Sequence, residues 1–125
     1  MKSPQRISDS EWQVMRVIWE CPGLHAIDIH SRLDASLEWS QKTVNTFLAR
    51  LEKKLVIRSE KIGRMKHYHP EVSEEECQQA ESSQFLEKVF RGNGGMALLH
   101  FAENEELSDE EVQKLREIID KSSKS

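Results

Sequence analysis

The stretch that decides the fold has the sequence SQKTVNTFLARLEKKL, residues 40–55. On a helix that advances about 100° per residue, its apolar side chains share one sector about 100° wide; they are Val44, Phe47, Leu48, Leu51 and Leu55. The opposite side carries cations and short polar groups, namely Lys42, Thr43, Asn45, Thr46, Arg50 and Lys53. These residues predict an amphipathic helix that starts at Ser40, with one face in a core and a cationic face rich in hydrogen-bond donors.

Two further helices are predicted upstream of this stretch. Ser8 and Glu11 have the spacing of a capping box, in which each side chain binds the other residue's backbone N–H at the start of a helix. Residues 21–23, Cys-Pro-Gly, end that helix, because proline disfavours helical geometry in the residue before it. Residues 25–36 predict a second helix, whose apolar stripe is Ala26, Ile29 and Leu33.

A two-stranded hairpin is predicted directly after the amphipathic helix. Residues 56–62 form an alternating strand, residues 63–65 form a turn, and residues 66–69 form a returning strand that Pro70 ends. The tip of the hairpin is basic, because it carries Arg64 and Lys66. Three helices followed by such a hairpin predict a winged helix-turn-helix.

The remainder of the chain is predicted to be helical. Capping boxes begin at Ser73 and Ser108, and residues 91–95 are expected to break the helix between them. Residues 96–102 predict a short helix that is apolar nearly all round; such a helix must be covered, and a second subunit is the simplest cover. The residues we expect in a dimer interface are Phe90, Met96, Leu98, Leu99, Phe101, Val112, Leu115, Ile118 and Ile119.

Charge is distributed unevenly along the 125 residues, whose net charge of −4 would by itself argue against nucleic acid. Residues 1–70 carry a net charge of +4, of which residues 41–66 alone contribute +6, whereas residues 71–125 carry −8. This asymmetry indicates two parts with different functions. We therefore expect a mainly α protein with a small β-hairpin, composed of a winged-helix DNA-binding domain, residues 1–71, and a helical dimerisation domain, residues 72–125.

The cationic face has the chemistry of a DNA-binding surface. A hydroxyl and free N–H groups at a helix start suit a phosphate oxygen, and short polar side chains in the first two turns suit base edges in the major groove. Arg50 and Lys53, farther along, would meet the DNA backbone. The expected DNA-binding residues are Ser40, Lys42, Thr43, Asn45, Thr46, Arg50, Lys53, Arg64 and Lys66. The alternative is a solvated helix face in a winged-helix module that binds proteins and no DNA.

The sequence gives little indication of metal binding, a reactive cysteine, catalysis or membrane binding. His67 and His69 form an H-x-H pair, but no third and fourth ligand follow at a metal-binding spacing, so no metal site or cofactor is expected, and a metal-responsive repressor stays an alternative. Neighbouring carboxylates are expected to raise the pKa of the Cys77 thiol. No catalytic constellation is present, so we expect no enzyme. No apolar run could span a bilayer and no signal peptide is visible, so we expect a cytoplasmic protein that does not bind membranes directly.

Three segments resemble the penicillinase-repressor family of BlaI/MecI/CopY type, and its BlaI/MecI branch in particular. The first is residues 7–19, which begin Ile-Ser-Asp-Ser-Glu-Trp. The second is residues 39–54, which begin Trp-Ser-Gln-Lys-Thr-Val-Asn-Thr and contain the predicted amphipathic helix. The third is residues 101–118, which begin Phe-Ala-Glu-Asn-Glu-Glu-Leu-Ser. Together they extend the resemblance over residues 7–120.

The resemblance implies a homodimeric bacterial repressor that binds dyad operators with TACA/TGTA-type half-sites, in promoters of β-lactam-resistance or related genes. In the BlaI/MecI branch a membrane sensor-protease pathway lifts repression by cleaving an Asn–Phe bond in the dimerisation domain. The matching pair here is His100-Phe101, which keeps the Phe and not the Asn, so either this bond is not cut or the protease has a different preference. The copper-responsive branch carries a C-terminal cysteine cluster that this sequence lacks, so copper sensing through that cluster is not expected.

Overall fold

The computed structural model describes residues 6–123, and it confirms a mainly helical protein with one small hairpin. The chain divides into two compact units, Met1–Ser82 and Ser83–Ser125. In chain order the elements are α1 (Asp9–Glu20), α2 (Ala26–Arg32), a 3-10 turn (Ala35–Leu37), α3 (Gln41–Lys53), β1 (Ile57–Ile62), β2 (Met65–Pro70), α4 (Glu74–Phe90), α5 (Gly94–Asn104) and α6 (Asp109–Ser123).

The first unit has one hydrophobic core, to which every one of its helices and both strands contribute. α1 contributes a buried face, against which Trp12 and Trp19 pack while partly exposed, and α3 buries three of the five apolar residues of its predicted core face. The fully buried apolar side chains are Val14, Met15, Ile18, Ile29, Val44, Leu48, Leu51, Val56 and Ile57. Ile7, Val17, Tyr68 of β2 and Cys77 of α4 also belong to the cluster. Helix α3 is thereby held against α1, α2 and the hairpin.

An ion pair between a buried carboxylate and a partly buried lysine joins the start of α1 to the end of α3. The predicted capping box is present: Glu11 N donates to Ser8 Oγ at 3.2 Å, and Ser8 N donates to Glu11 Oε1 at 2.8 Å. Glu11 is only 1% exposed, and Lys54 Nζ donates both to its Oε1 and, at 2.9 Å, to the carbonyl oxygen of Arg6. Burial by itself would raise the pKa of Glu11, but the hydrogen bonds from Lys54 and Ser8 and the charge of Lys54 outweigh burial and lower that pKa.

The hairpin forms the predicted wing with a slightly different boundary. Ile62 pairs with Met65, so the turn consists of two residues, Gly63 and Arg64, and Met65 belongs to β2 instead of the turn. Gly63 has a φ of +66°, which glycine adopts without steric cost at the first central position of a two-residue hairpin turn. Pro70, predicted to end the strand, is its last residue.

The segment between α1 and α2 adds a contact to the wing that the sequence analysis did not anticipate. Tyr68 N donates to the carbonyl oxygen of Leu24 at 2.9 Å, and Gly23 N donates to the carbonyl oxygen of Tyr68 at 2.8 Å. Gly23 has a φ of +93°, a conformation that other residues rarely adopt. A side chain there would also meet the ring of His69 at 3.4 Å. The glycine predicted only to end a helix therefore also lets the chain pair with β2.

Two sequence expectations in this unit are wrong. The helix predicted over residues 25–36 ends at Arg32, because Leu33 is extended and the Asp34 side chain accepts from Ser36 N at 2.9 Å, starting a separate 3-10 turn. Leu55, assigned to the core face of α3, is 68% exposed. The helix has ended at Lys53 and Leu55 has a φ of +65°, so its side chain leaves the helical stripe.

The second unit consists of the last part of α4, α5 and α6. The predicted break is shorter than expected, because Gly94 and Gly95 are already helical and the Asn93 side chain caps α5 by accepting from Met96 N at 2.9 Å. The capping box of Ser108 and Glu111 is present. The domain division predicted between residues 71 and 72 stays a prediction; α4 starts near it and contributes residues to both compact units.

No helix among residues 6–123 is both long enough and apolar enough to cross a membrane.

We expect the Glu11→Gln variant to lower the free energy of unfolding of the first unit by about 1–3 kcal/mol at pH 7, because Lys54 loses its charged partner in a buried site. The folded state lowers the Glu11 pKa below its ordinary 4.5, so this stabilisation is complete above pH 4.5 and disappears as the pH falls through the folded pKa. Urea unfolding followed by tryptophan fluorescence measures it, since Trp12, Trp19 and Trp39 all lie in the first unit.

The matched control is Glu111→Gln. Glu111 occupies the same position of a capping box, but it is exposed, and no lysine within residues 6–123 lies at ion-pair distance from it. That variant should leave the fluorescence transition unchanged. An effect of Glu11→Gln that is equally large below and above pH 4.5 would contradict the account of this ion pair.

Candidate nucleic-acid interface

The polar face of α3 lies opposite its buried face and is open to solvent. Lys42, Asn45, Thr46, Arg50 and Lys53 are exposed, and Thr43 is half-buried. The buried and exposed positions alternate with the helical period, as the sequence predicts. The predicted cationic surface therefore exists as one continuous stripe along α3.

The start of α3 is fixed by its cap and by the loop before it. The Ser40 side chain accepts from Thr43 N at 3.1 Å and lies 3.1 Å from the Thr43 hydroxyl. His30 Nε2 donates to the carbonyl oxygen of Trp39 at 2.7 Å, and the Trp39 ring packs edge-on against Phe47, with 5.0 Å between ring centroids. These contacts tie the first turn of α3 to α2 and to the helix's own second turn, so its direction is set before any partner binds.

Hydrogen bonds within the helix also hold two of the polar side chains. Thr46 Oγ1 donates to the carbonyl oxygen of Lys42 at 3.0 Å. Gln41 Nε2 donates to the carbonyl oxygen of Ala26 at 3.0 Å and to Asn45 Oδ1, also at 3.0 Å. Gln41 is not among the residues predicted from the sequence to bind DNA. Its spacing of four residues from Asn45 was the only available signal, and the bond to Ala26 is visible only in the fold.

The wing lies beside this face. An open concavity of about 440 Å³ is lined on one side by Asn45 of α3 and on the other by Arg64 and Lys66 of the wing, both of which are exposed. Lys66 Nζ lies 3.9 Å from Glu52 Oε1, and Glu52 Oε2 accepts from the Ser59 hydroxyl at 2.7 Å. Of the predicted DNA-binding residues, this depression brings together Asn45, Arg64 and Lys66, whereas the other predicted residues of α3 do not line it.

Most of the cations at this surface have no acidic partner. Among the described residues 6–123, no carboxylate lies within ion-pair distance of Lys42, Arg50, Lys53 or Arg64. Unpaired lysine and arginine charges on one face give a positive potential that attracts phosphate groups. The arrangement can therefore neutralise a phosphate backbone while short polar side chains reach base edges.

His67 and His69 both make contacts within the first unit. His67 Nδ1 donates to the carbonyl oxygen of Gly23 at 2.8 Å, and His69 Nε2 lies 3.8 Å from Glu60 Oε2. Within the part of the chain that the structure describes, no group of three or more His, Cys, Asp or Glu residues is placed to hold a metal ion.

The cysteine prediction is confirmed in direction and corrected in cause. The pKa of the Cys77 thiol is raised to about 11, chiefly by burial and only secondarily by the carboxylate of Glu76. Cys77 belongs to the core of the first unit. A thiol with so high a pKa stays protonated at neutral pH and is a poor nucleophile.

The second unit exposes an apolar surface that its own fold leaves uncovered. Of the nine predicted interface residues, Phe90, Val112 and Leu115 are half-buried, and the exposed ones are Met96, Leu98, Leu99, Phe101, Ile118 and Ile119. Sequence reasoning missed Phe85 and Val89 of α4, which are also exposed. Phe85 stacks on Phe101 with 6.3 Å between centroids, and Phe90 contacts both rings.

Comparison with known proteins identifies the family. The profile of the penicillinase repressor family matches residues 7–121. The chain belongs to this family. It is 35% identical over 120 residues to the penicillinase repressor of Bacillus licheniformis, covering 96% of this chain and 94% of that protein. It is also 35% identical over 115 residues to the methicillin resistance regulatory protein MecI of Mammaliicoccus sciuri, covering 92% of this chain and 94% of MecI.

Two solved structures share the fold of this penicillinase repressor family member. One is the solution structure of the DNA-binding domain of the repressor BlaI, with a TM-score of 0.53 and 39% identity, covering 60% of this chain and 90% of that domain. The other is monomeric Bacillus licheniformis BlaI in complex with the blaP half-operator, with a TM-score of 0.52 and 37% identity, covering 61% of this chain and 93% of the other. The winged-helix prediction is thereby confirmed.

Proposed function

We propose that this penicillinase repressor family member is a homodimeric transcriptional repressor that binds a dyad operator with TACA/TGTA-type half-sites. The observation that carries the proposal is the unpaired cationic face of α3 beside the basic wing, in a fold shared with a BlaI structure that is bound to a half-operator. Its relatives are named as repressors of penicillinase and regulators of methicillin resistance, so β-lactam-resistance or related genes are the proposed targets. The function is binding, and we assign no catalysis to it.

Each part of the surface has a proposed role on DNA. The helix start at Ser40 binds a phosphate, because the first N–H groups of a helix lack intrahelical partners. Asn45 and its neighbours in the first two turns of α3 contact base edges in the major groove. The long cationic side chains bind phosphates on either side of the contacted bases; they are Lys42, Arg50, Lys53, Arg64 and Lys66. A protein that meets promoters in this way works in the cytoplasm.

The second unit is proposed to hold two copies together. A helix that exposes Leu99 and Phe101 leaves apolar area in water, and burying it against the same surface of a second copy is the symmetric solution. The acidic charge of residues 71–125 suits a position away from the phosphates. Two DNA-binding domains joined in this way bind a dyad far more tightly than one, because the second binding event becomes intramolecular.

Relief of repression by a membrane sensor-protease pathway is the proposed regulation. The candidate bond, His100-Phe101, lies in the middle of α5, and the carbonyl oxygen of His100 also accepts from Asn104 Nδ2 at 2.8 Å. Proteases bind extended backbone, so α5 must open locally before this bond is cut. The His100 ring lies 5.6 Å from that of Phe90, so a cut here would break up the exposed apolar surface.

We expect Lys42→Ala and Arg50→Ala each to weaken binding to all DNA sequences alike and to reduce the steepness of its salt dependence by about one unit per lost phosphate contact. Gel-shift titrations at two or more salt concentrations measure both effects. Lys114→Ala, which removes an exposed lysine of α6, is the matched control and should change neither. If the double variant Lys42→Ala/Arg50→Ala kept the wild-type affinity and salt slope, the protein-interaction alternative would replace the DNA-binding proposal.

We expect Leu99→Asp to convert the dimer to a monomer, because a carboxylate would then be buried without a partner in the interface. Leu99 is 65% exposed in the single chain, so the fold of each copy should persist. Sedimentation equilibrium should give the mass of one chain, and affinity for a full dyad should fall roughly 100-fold or more while affinity for a single half-site stays unchanged. A variant that remains dimeric would move the proposed interface elsewhere.

A further inference from the structure

Gln41 uses both N–H bonds of its side-chain amide to connect two parts of the structure. One bond goes to the carbonyl oxygen of Ala26, the first residue of α2, and the other goes to Oδ1 of Asn45, one turn along α3. Gln41 is half-buried and Asn45 is exposed. The Asn45 amide, which we place at the base edges, is therefore held from behind by a side chain that is itself anchored to the backbone.

These hydrogen bonds determine which branch of the Asn45 side-chain amide is the oxygen and which is the nitrogen. A backbone carbonyl oxygen can only accept, so the Gln41 atom that faces Ala26 must be the amide nitrogen. That nitrogen can only donate, so the Asn45 atom 3.0 Å from it must be the amide oxygen. The branch of Asn45 that Gln41 does not hold is consequently the NH₂ group, with two donors available.

We propose that Gln41 is a positioning residue for operator recognition, which orients Asn45 so that its NH₂ group donates to an acceptor on a base edge in the major groove. The acceptors there are N7 and O6 of guanine, N7 of adenine and O4 of thymine. A freely rotating asparagine presents its oxygen and its nitrogen equally, whereas an oriented one favours acceptors over donors such as the cytosine N4 amino group. The inference rests on the proposed DNA binding and adds the polarity of one base contact to it.

The test starts from a duplex that wild-type protein selects from a randomised DNA library. Dissociation constants are then measured, at one salt concentration, for duplexes that carry each of the four base pairs at every position of one half-site. Asn45→Ala identifies the position that Asn45 contacts, because discrimination is lost there. Gln41→Met, which keeps the length of the side chain without its donors, should reduce discrimination at the same position by about tenfold and leave the other positions unchanged.

Gln41→Glu provides a second variant with a different expected result. The new carboxylate can only accept, so it gives up the bond to the Ala26 carbonyl oxygen, and it should bind the Asn45 NH₂ group and turn Oδ1 towards the DNA. Preference at the contacted position should then shift towards a base that presents a donor, cytosine N4 or adenine N6. The added negative charge lowers the affinity for all duplexes by the same factor, so its effect cancels in the ratio of two dissociation constants. A carboxylate in the first turn of a helix also favours folding.

A merely structural role of Gln41 makes a distinguishable prediction. If Gln41 only ties α3 to Ala26, Gln41→Met will lower the affinity for all duplexes by the same factor. The same loss of affinity will then occur in an Asn45→Ala background. That result, or an unchanged base preference in both Gln41 variants, overturns the inference while the repressor function stands. A wild-type protein that selects no sequence from the library contradicts the proposed function itself, and the inference with it.

Discussion

Burial of Val44, Leu48 and Leu51 in the core of the first unit is the constraint on which the rest of the interface depends. A helix has one rotation about its axis that hides these three side chains, and this rotation turns the stripe from Lys42 to Lys53 towards solvent. Loss of a buried leucine typically costs 2–5 kcal/mol, roughly the whole stability of a small domain at the upper end, so other rotations of α3 are not populated. One face of α3 thus belongs to the core, and the opposite face is the one that we propose binds DNA.

Contacts at both ends of α3 act together with the core to fix the position of this helix. At its start, Trp39 is bonded to His30 and Gln41 is bonded to Ala26, so the first turn is attached twice to α2. At its end, Lys54 forms the ion pair with the buried Glu11 of α1. The helix can therefore neither slide nor tilt without breaking a partly buried polar contact. Rigid support of this kind reduces the ordering that DNA binding would otherwise require.

The sequence predicted the features that depend on local or periodic patterns. The two faces of α3, the capping box of Ser8 and the basic wing with Arg64 all follow from spacing and residue type, and the family followed from three short segments. The end of α2 was mispredicted because Asp34 competes for a backbone N–H, a choice that the apolar stripe does not record. Leu55 was mispredicted because the helical period says nothing about where the helix stops.

Features built from distant residues could not be predicted in this way. Glu11 and Lys54 are far apart in sequence, and Glu11 already had a local interpretation in a capping box. Gln41 lies beside the predicted site, but its anchor on Ala26 exists only once α2 and α3 pack. The exposed Phe85 was overlooked because α4 has no clean apolar stripe from which to select it.

The most direct test of the central claim is an NMR comparison of the full chain with and without its selected operator duplex. Backbone amide signals from residues 40–53 and 62–66 should shift most on binding, together with the side-chain amide signals of Gln41 and Asn45. Signals of the core residues on the buried face should shift less. The account would be contradicted if the duplex bound with unperturbed signals over residues 40–53, because DNA recognition would then have to lie on another surface.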